Sequence, residues 1–342
     1  MKKAFITGFT GQVGSQLADY LLKETEMEIY GMMRWQEPLD NILHLTNRIN
    51  NKNRVHISYA DLTDYSSIFN ELSKIEPDFI FHLGAQSYPK TSFDIPLETF
   101  NTNIMGTANI LESIKHLNSK IQYSPVIHIC SSSEVYGKAE KGISLSEKTP
   151  FHGSSPYSIS KIGTDFLGRF YGEAYNLRTF VTRMGTHSGP RRSDVFFEST
   201  LAKQIAMIEA DLQSPEVKLG NLESVRTFQD CRDAVRAYYL LAIASENNKI
   251  DPGECFNIAG QEAFHLREVV DLMLELSTRD DIKIIFDKER ARPIDADYQM
   301  FDNSKVMQAI DWQPEISAKE MFKDLLNFWR SQIKKGYIPI ER

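Results

Sequence analysis

The chain has 342 residues, 42% of them hydrophobic and 25% charged, with a formal net charge of -7. That length is ample for a large buried core with an appended lobe, and the negative balance excludes a protein that coats nucleic acid or an anionic membrane surface, so any phosphate must be held by a local site. Cys130, Cys231 and Cys255 are too few and too scattered for a disulfide frame or a metal site, and with no membrane-length apolar run and no signal-peptide pattern the expectation is a soluble, cytoplasmic protein.

In chain order, Lys3 to Thr7 predicts an apolar strand that breaks into Gly8-Phe9-Thr10-Gly11-Gln12-Val13-Gly14 before helical apolar spacing sets in over Ser15 to Leu22. Strand, glycine turn and helix are the context a dinucleotide fingerprint requires. Gly8, Gly11 and Gly14 permit a tight turn and close backbone approach, and the helix N-terminus offers amide donors to a pyrophosphate. Thr10, Gln12 and Val13 complete that candidate cofactor turn; the alternative is a structural turn. The next strand, Glu28 to Met33, ends at Arg34, where an NAD-specific site usually places an acid. Arg34 points to a 2′-phosphate and thus to NADP, while Glu37 close by keeps NAD open.

Strand Val55 to Tyr59 leads to Asp61 and Leu62, read as an adenine-edge contact. A helix over Tyr65 to Lys74 returns to strand Phe79 to Leu83, followed by Gly84-Ala85-Gln86-Ser87 at the end where open α/β sheets bind ligands. Leu83 and Ala85 are assigned to the cofactor, Gln86 and Ser87 to a substrate. A further helix contains Asn103 to Thr107, and strand Val126 to Cys130 delivers Ser131-Ser132-Ser133-Glu134-Val135-Tyr136-Gly137.

Tyr157 and Lys161 stand four apart on a predicted helix and so face the same way. An ammonium there can lower the phenol toward the working range of a general base, and a hydroxyl and a carboxylate from Ser132, Ser133 and Glu134 can complete an acid/base group. The bland reading is one packed Tyr and one solvated Lys. Strand and helix alternate to about residue 180, which predicts an α/β fold with a Rossmann-type doubly wound parallel sheet. Beyond 185 the pattern loosens around Pro190, Pro215, Pro252, Pro293 and Pro314 into a smaller C-terminal α/β substrate lobe. The expected division is 1–185 against 186–342, with Thr227 to Ala242 (helical spacing) and Cys255 to Ile258 (strand-like) returning to the first domain. The eight histidines show no ligand spacing, so no metal is expected.

These motifs carry a family resemblance. The glycine turn, the Ser-Ser-Glu block, the run Glu147, Thr149, Pro150, Phe151, Ser155, Pro156, Tyr157 and Lys161, and the later Pro190-Arg191-Arg192, Leu219-Gly220-Asn221-Leu222 with Arg226, and Arg292-Pro293 with Asp295, Asp297, Asp302 and Lys305 resemble extended short-chain dehydrogenases/reductases that modify nucleotide sugars. Within them the chain most resembles the GDP-mannose 4,6-dehydratases.

The resemblance implies a reaction in three steps: C4 oxidation of a GDP-sugar, water elimination across C5 and C6, and hydride return to C6. It gives Tyr157, aided by Lys161, the C4 hydroxyl proton, Ser132 the C4 oxygen, Glu134 the C5 proton, and Ser133 an orienting role. Arg226 and Arg292 would fork onto phosphate or ribose, with Thr186, His187 and Asn221 beside the substrate. Thr186 stands where the family has Asn, and Trp35 where it has a second Arg. These departures fit a different GDP-sugar, such as a heptose in place of mannose. They also keep a keto-sugar reductase or epimerase, and from another class a non-catalytic cofactor-binding regulator, as alternatives. A homodimer or homotetramer is the implied assembly, through the helices around Asn103–Ile114 and Tyr157–Tyr171.

Overall fold

The computed structural model describes residues 1–140, 142–288 and 298–337. Seven strands form the main sheet: β1 (Lys3–Thr7), β2 (Glu28–Met33), β3 (Val55–Tyr59), β4 (Phe79–His82), β5 (Val126–Cys130), β6 (Thr179–Met184) and, arriving late in the chain, Glu254–Ile258. Numbering continues through β7 (Thr186–Ser188), β8 (Glu216–Leu219) and β9 (Val225–Asp230), which makes that late strand β10; β11 (Ala263–His265) and β12 (Lys283–Phe286) follow. The sheet order is β10-β6-β5-β4-β1-β2-β3, and every pairing in it is parallel.

Helices cover both faces because these strands are apolar on both sides. On one face helices Gln12–Glu24 and Cys231–Glu246 bury Leu17, Leu21, Val235 and Leu241 against Ile6, Ile29 and Phe180. On the other, helices Tyr65–Ile75, Gly106–Ile121 and Pro156–Tyr175 bury Ile68, Leu72, Ile110, Ile114 and Tyr171 against Phe5, Ile80, Ile127 and Val181. The chain order of the strands reverses between β1 and β4, so a crevice opens at their C-terminal ends, where a doubly wound sheet takes its ligand.

A second core lies in the C-terminal half, where helices Phe197–Glu209, Leu266–Glu275 and Ala318–Lys334 enclose Leu201, Ile205, Val269, Met273, Phe322 and Leu325 with β8. One expected element changes type. Residues Thr227 to Asp230, expected to begin a helix, lie in β9, which pairs with both β7 and β11. The helix starts at Cys231 because Asp230 caps it, its carboxylate accepting from the Arg232 amide at 2.7 Å. The β-branched and aromatic residues Val225, Thr227 and Phe228 fit a paired strand better than a helix.

Candidate active site

Thr7 closes the crevice floor. Its hydroxyl accepts from the Leu83 and Gly84 amides at 3.0 and 2.9 Å and meets His82 Nδ1 at 2.9 Å, tying the end of β1 to the end of β4. The chain then turns through Gly8 at φ +67°, where a side chain would lie 2.8 Å from the Gly84 backbone. A side chain at Gly14 would come within 2.3 Å of the Gly8 carbonyl. Both glycines are therefore required by the backbone. Gly11 precedes helix Gln12–Glu24 with no side-chain cap, leaving the amide end of that helix for a ligand. The cradle thus fits a pyrophosphate. Gln12 points elsewhere, its amide donating to the Gly189 and Pro190 carbonyls at 3.1 and 3.2 Å, and Val13 packs on the core.

At the end of β2, Arg34 Nε donates to Glu37 Oε1 at 2.8 Å, and Thr10 Oγ1 donates to Glu37 Oε2 at 2.9 Å. Asp61 spends one carboxylate oxygen on the amide and hydroxyl of Thr63, at 2.8 and 2.7 Å, which shapes the turn after β3. Leu62 is buried against Gly106, and its carbonyl accepts from Asn109. Ala85 is half-buried at the crevice rim.

The helix carrying Tyr157 begins where Ser155 and Ser158 cap each other's backbone amides and Pro156 occupies the first turn. Its position is fixed from β4's side: Asn103 sits in one wide turn, Asn101–Met105, and bonds the Gln86 amide, the Gln86 carbonyl and Ser160 Oγ at 2.8, 3.0 and 2.8 Å. Opposite, Ser132 caps a 3₁₀ turn over Ser133–Tyr136, accepting from the Glu134 amide. Ser132, Ser133, Tyr157 and Lys161 are buried, and Glu134 is half-buried beside them.

Lys161 Nζ donates to the Cys130 carbonyl at 2.7 Å. Burial holds its ammonium below the usual lysine range. Burial also raises the Tyr157 phenol, an effect the facing Ser132 hydroxyl partly offsets and the Glu134 carboxylate reinforces. The net direction at the phenol is upward, because desolvation outweighs the interactions around it.

Behind this block, Arg183 forks onto Asp165 at 2.8 and 3.0 Å, both fully buried, and donates to Tyr136 Oη and the Glu147 carbonyl. Tyr136 in turn donates to Asn257. Sequence reasoning missed Arg183, Asp165 and Asn103 as supports; the polar residues inside otherwise apolar segments were the available signal.

The substrate-side residues lie more widely. Ser87 is exposed past β4, and Gln86 Oε1 is buried with no partner. Thr186 and His187 lie in β7, and burial together with Arg192 pushes the His187 ring down to about 3, so it is neutral. Arg226 is buried in β9. Asn221 caps its own turn, accepting from the Glu223 amide. Arg292, Pro293, Asp295 and Asp297 fall outside the described residues. Asp302 accepts from the Ser304 amide, and Lys305 bonds the Cys255 carbonyl and Glu254 on β10. Arg191 pairs with Asp19, whereas Arg192 pairs with Glu198 and stacks over Phe196, near enough to Tyr157 to act on its phenol. A cleft of about 480 Å³ beside β9 is lined by Lys138, Glu140, Glu223, Val225, His265 and Tyr298. Among the described residues no cluster could hold a metal ion, and no helix is long and apolar enough to cross a membrane.

A family model described as GDP-mannose 4,6 dehydratase matches residues 5–325. The chain belongs to the GDP-mannose 4,6-dehydratase family. It is 29% identical to GDP-mannose 4,6-dehydratase of Yersinia enterocolitica, over 95% of this chain and 93% of that one. It is 30% identical to GDP-mannose 4,6 dehydratase of Cricetulus griseus, over 95% and 90%. Among solved structures, the NADPH complex of RMD from Pseudomonas aeruginosa superposes with a TM-score of 0.80 at 25% identity, covering 97% of this chain and all of that one. DesIV, a dTDP-glucose 4,6-dehydratase from Streptomyces venezuelae with NAD bound, superposes at 0.83 with 21% identity, over 97% and 98%, and shares the fold. In this chain the Ser132-Ser133-Glu134 turn and the Tyr157–Lys161 helix lie side by side, tied by the Lys161 bond to the Cys130 carbonyl.

Proposed function

We propose that the protein is an enzyme, a GDP-sugar 4,6-dehydratase acting on GDP-mannose or a GDP-manno-heptose. The observation that carries the reading is the half-buried Glu134 carboxylate on a turn capped by Ser132, with Tyr157 and Lys161 buried on the adjoining helix, in a chain of this family. A reductase or epimerase needs only the phenol, the ammonium and a hydroxyl; a carboxylate at this point adds a base for elimination.

Gly8, Gly11 and Gly14 would hold a nicotinamide dinucleotide, which would supply hydride acceptance and return. Tyr157 takes the proton of the C4 hydroxyl. Lys161, anchored on Cys130, keeps a positive charge next to the phenol's helix turn. Ser132 donates to the C4 oxygen as it becomes a carbonyl, which makes the C5 hydrogen acidic. Glu134 removes that hydrogen as a proton and hands it to the departing C6 hydroxyl, which leaves as water; C5 takes a proton back from solvent when C6 is reduced, balanced by the one that Tyr157 gives up. Ser133 orients the carboxylate. Arg226 and Arg292, with Thr186, His187, Asn221, Gln86 and Ser87, are the groups proposed to hold the sugar nucleotide, whose nucleoside end fits the cleft beside β9. The choice between NADP, expected from Arg34, and NAD lies at the corner formed by Arg34 and Glu37. A second copy is the proposed partner: Met105, Ile159, Phe166 and Phe170 stand about half exposed on the helices that hold Asn103 and Tyr157.

The test is product mass without added reductant. Incubation with GDP-mannose and, separately, GDP-manno-heptose should show loss of one water from one of them. No change with either, but a gain of two hydrogens when a 4-keto sugar and NADPH are supplied, would move the protein to the reductases and leave Glu134 without this role.

A further inference from the structure

In a doubly wound fold the adenosine ribose reaches the residue that follows the second strand, and the group there meets either a 2′-hydroxyl or a 2′-phosphate. This chain places both kinds of group at that corner. Arg34 follows β2 directly, and Glu37 comes three residues later. The carboxylate is the better fixed of the two. One oxygen accepts from Arg34 Nε at 2.8 Å and the other from Thr10 Oγ1 at 2.9 Å, inside the glycine turn itself. Asn41 braces the same residue by donating to the Thr10 carbonyl at 3.0 Å. The Glu37 side chain is 16% exposed, whereas that of Arg34 is 62% exposed.

The charge count points the same way. The carboxylates of Glu37, Asp61 and Glu98 all act on the Arg34 guanidinium and raise its basicity. One cation therefore faces three anions. A 2′-phosphate would find Nε of Arg34 already held by Glu37, leaving only the Nη groups, and would rest among carboxylates that repel it. A ribose 2′-hydroxyl meets no such repulsion and can donate to Glu37. The residues at this corner do not fit the 2′-phosphate that Arg34 alone leads one to expect.

We propose that Glu37 selects the cofactor and makes the protein prefer NAD(H) to NADP(H). The selection rests on the dinucleotide reading of the glycine turn and is independent of which sugar is used. It is tested by binding without any sugar: titrate the full-length protein with NADH and with NADPH, following nicotinamide fluorescence and calorimetric heat. The wild type should bind NADH at least tenfold tighter than NADPH. Glu37→Gln should tighten NADPH tenfold or more and weaken NADH, since Arg34 is released and the ribose hydroxyl loses a charged acceptor. Adding Arg34→Ala to that variant should remove the gain, and thermal melting of each variant reports whether it folds. Wild-type protein that binds NADPH as tightly as NADH would overturn the proposal whatever the variants do, as would a folded Glu37→Gln variant with an unchanged ratio. Binding of neither dinucleotide would remove the cofactor reading and the selection together, whereas a wrong sugar assignment would leave these titrations untouched.

Discussion

Lys161 Nζ lies 2.7 Å from the carbonyl oxygen of Cys130, so the ammonium of the Tyr157 helix is bonded to the last residue of the strand that delivers the serine block. The pair sets the distance between the two halves of the site. Lys161→Met should remove both that tie and the positive charge next to Tyr157. The expected loss in turnover is about 10²–10⁴-fold, with melting changed far less than turnover. A variant that keeps near-wild-type turnover would show that the ammonium only supports the fold.

Elimination should depend on Glu134 separately from oxidation. Glu134→Gln is expected to oxidise C4 and stop there, so that reduced cofactor accumulates to about one equivalent per site at 340 nm while no water is lost from the sugar. Full turnover would assign the base elsewhere.

Burial raises the Tyr157 phenol and the Ser132 hydroxyl offsets part of the rise. The base form therefore grows as pH increases, and kcat/KM for the first step should climb through the alkaline range. Ser132→Ala removes an interaction that favours the phenolate, so the rising limb should move to higher pH. A limb that stays in place, measured with pre-steady-state reduction of cofactor, would detach Ser132 from the phenol.

Arg183 and Asp165 form a fully buried pair whose guanidinium also holds Tyr136 and the Glu147 carbonyl. Arg183→Met leaves the buried carboxylate with only the longer contact to Arg169 at 3.9 Å, which should cost about 3–5 kcal/mol in denaturant unfolding. Because Tyr136 ends the turn that carries Glu134, activity should fall even at temperatures where the variant stays folded.

His82 is buried between Thr7 and Thr107, and burial, with a smaller push from Lys161, moves its ring down to about 3. In the unfolded chain the ring titrates near 6.5. As pH falls through that value the unfolded state takes up the proton first, so stability is present above about 6.5 and is lost toward 3, at about 1.4 kcal/mol per pH unit for this ring. Urea midpoints should drop from pH 7 to pH 5. His82→Gln should flatten that slope by one proton; an unchanged slope would place the proton uptake on other groups.

The exposed Phe166 and Phe170 on the Tyr157 helix are the proposed centre of contact with a second copy. Phe166→Asp with Phe170→Asp should convert the assembly to monomer in sedimentation. A monomeric wild type at micromolar concentration would remove the proposal.

By itself the sequence determined the strand, glycine turn and helix at Lys3–Glu24, the first five strands, the helix that begins at Tyr65, and the placing of Tyr157 and Lys161 on one helix. Those signals are local: glycine spacing, apolar runs and a four-residue repeat on a helix express backbone and side-chain geometry over a few residues. It misjudged Thr227–Asp230, whose helical spacing gave way to a strand because β7 and β11 pair with it on both sides. Only the tertiary structure decided what the charged groups do. Glu37 is bonded to both Arg34 and Thr10 at the corner where the sequence alone offers a lone Arg34, and burial raises the Tyr157 phenol and lowers the Lys161 ammonium. A side chain's charge is written in the sequence, whereas its desolvation and its partner are properties of residues that folding brings from elsewhere in the chain.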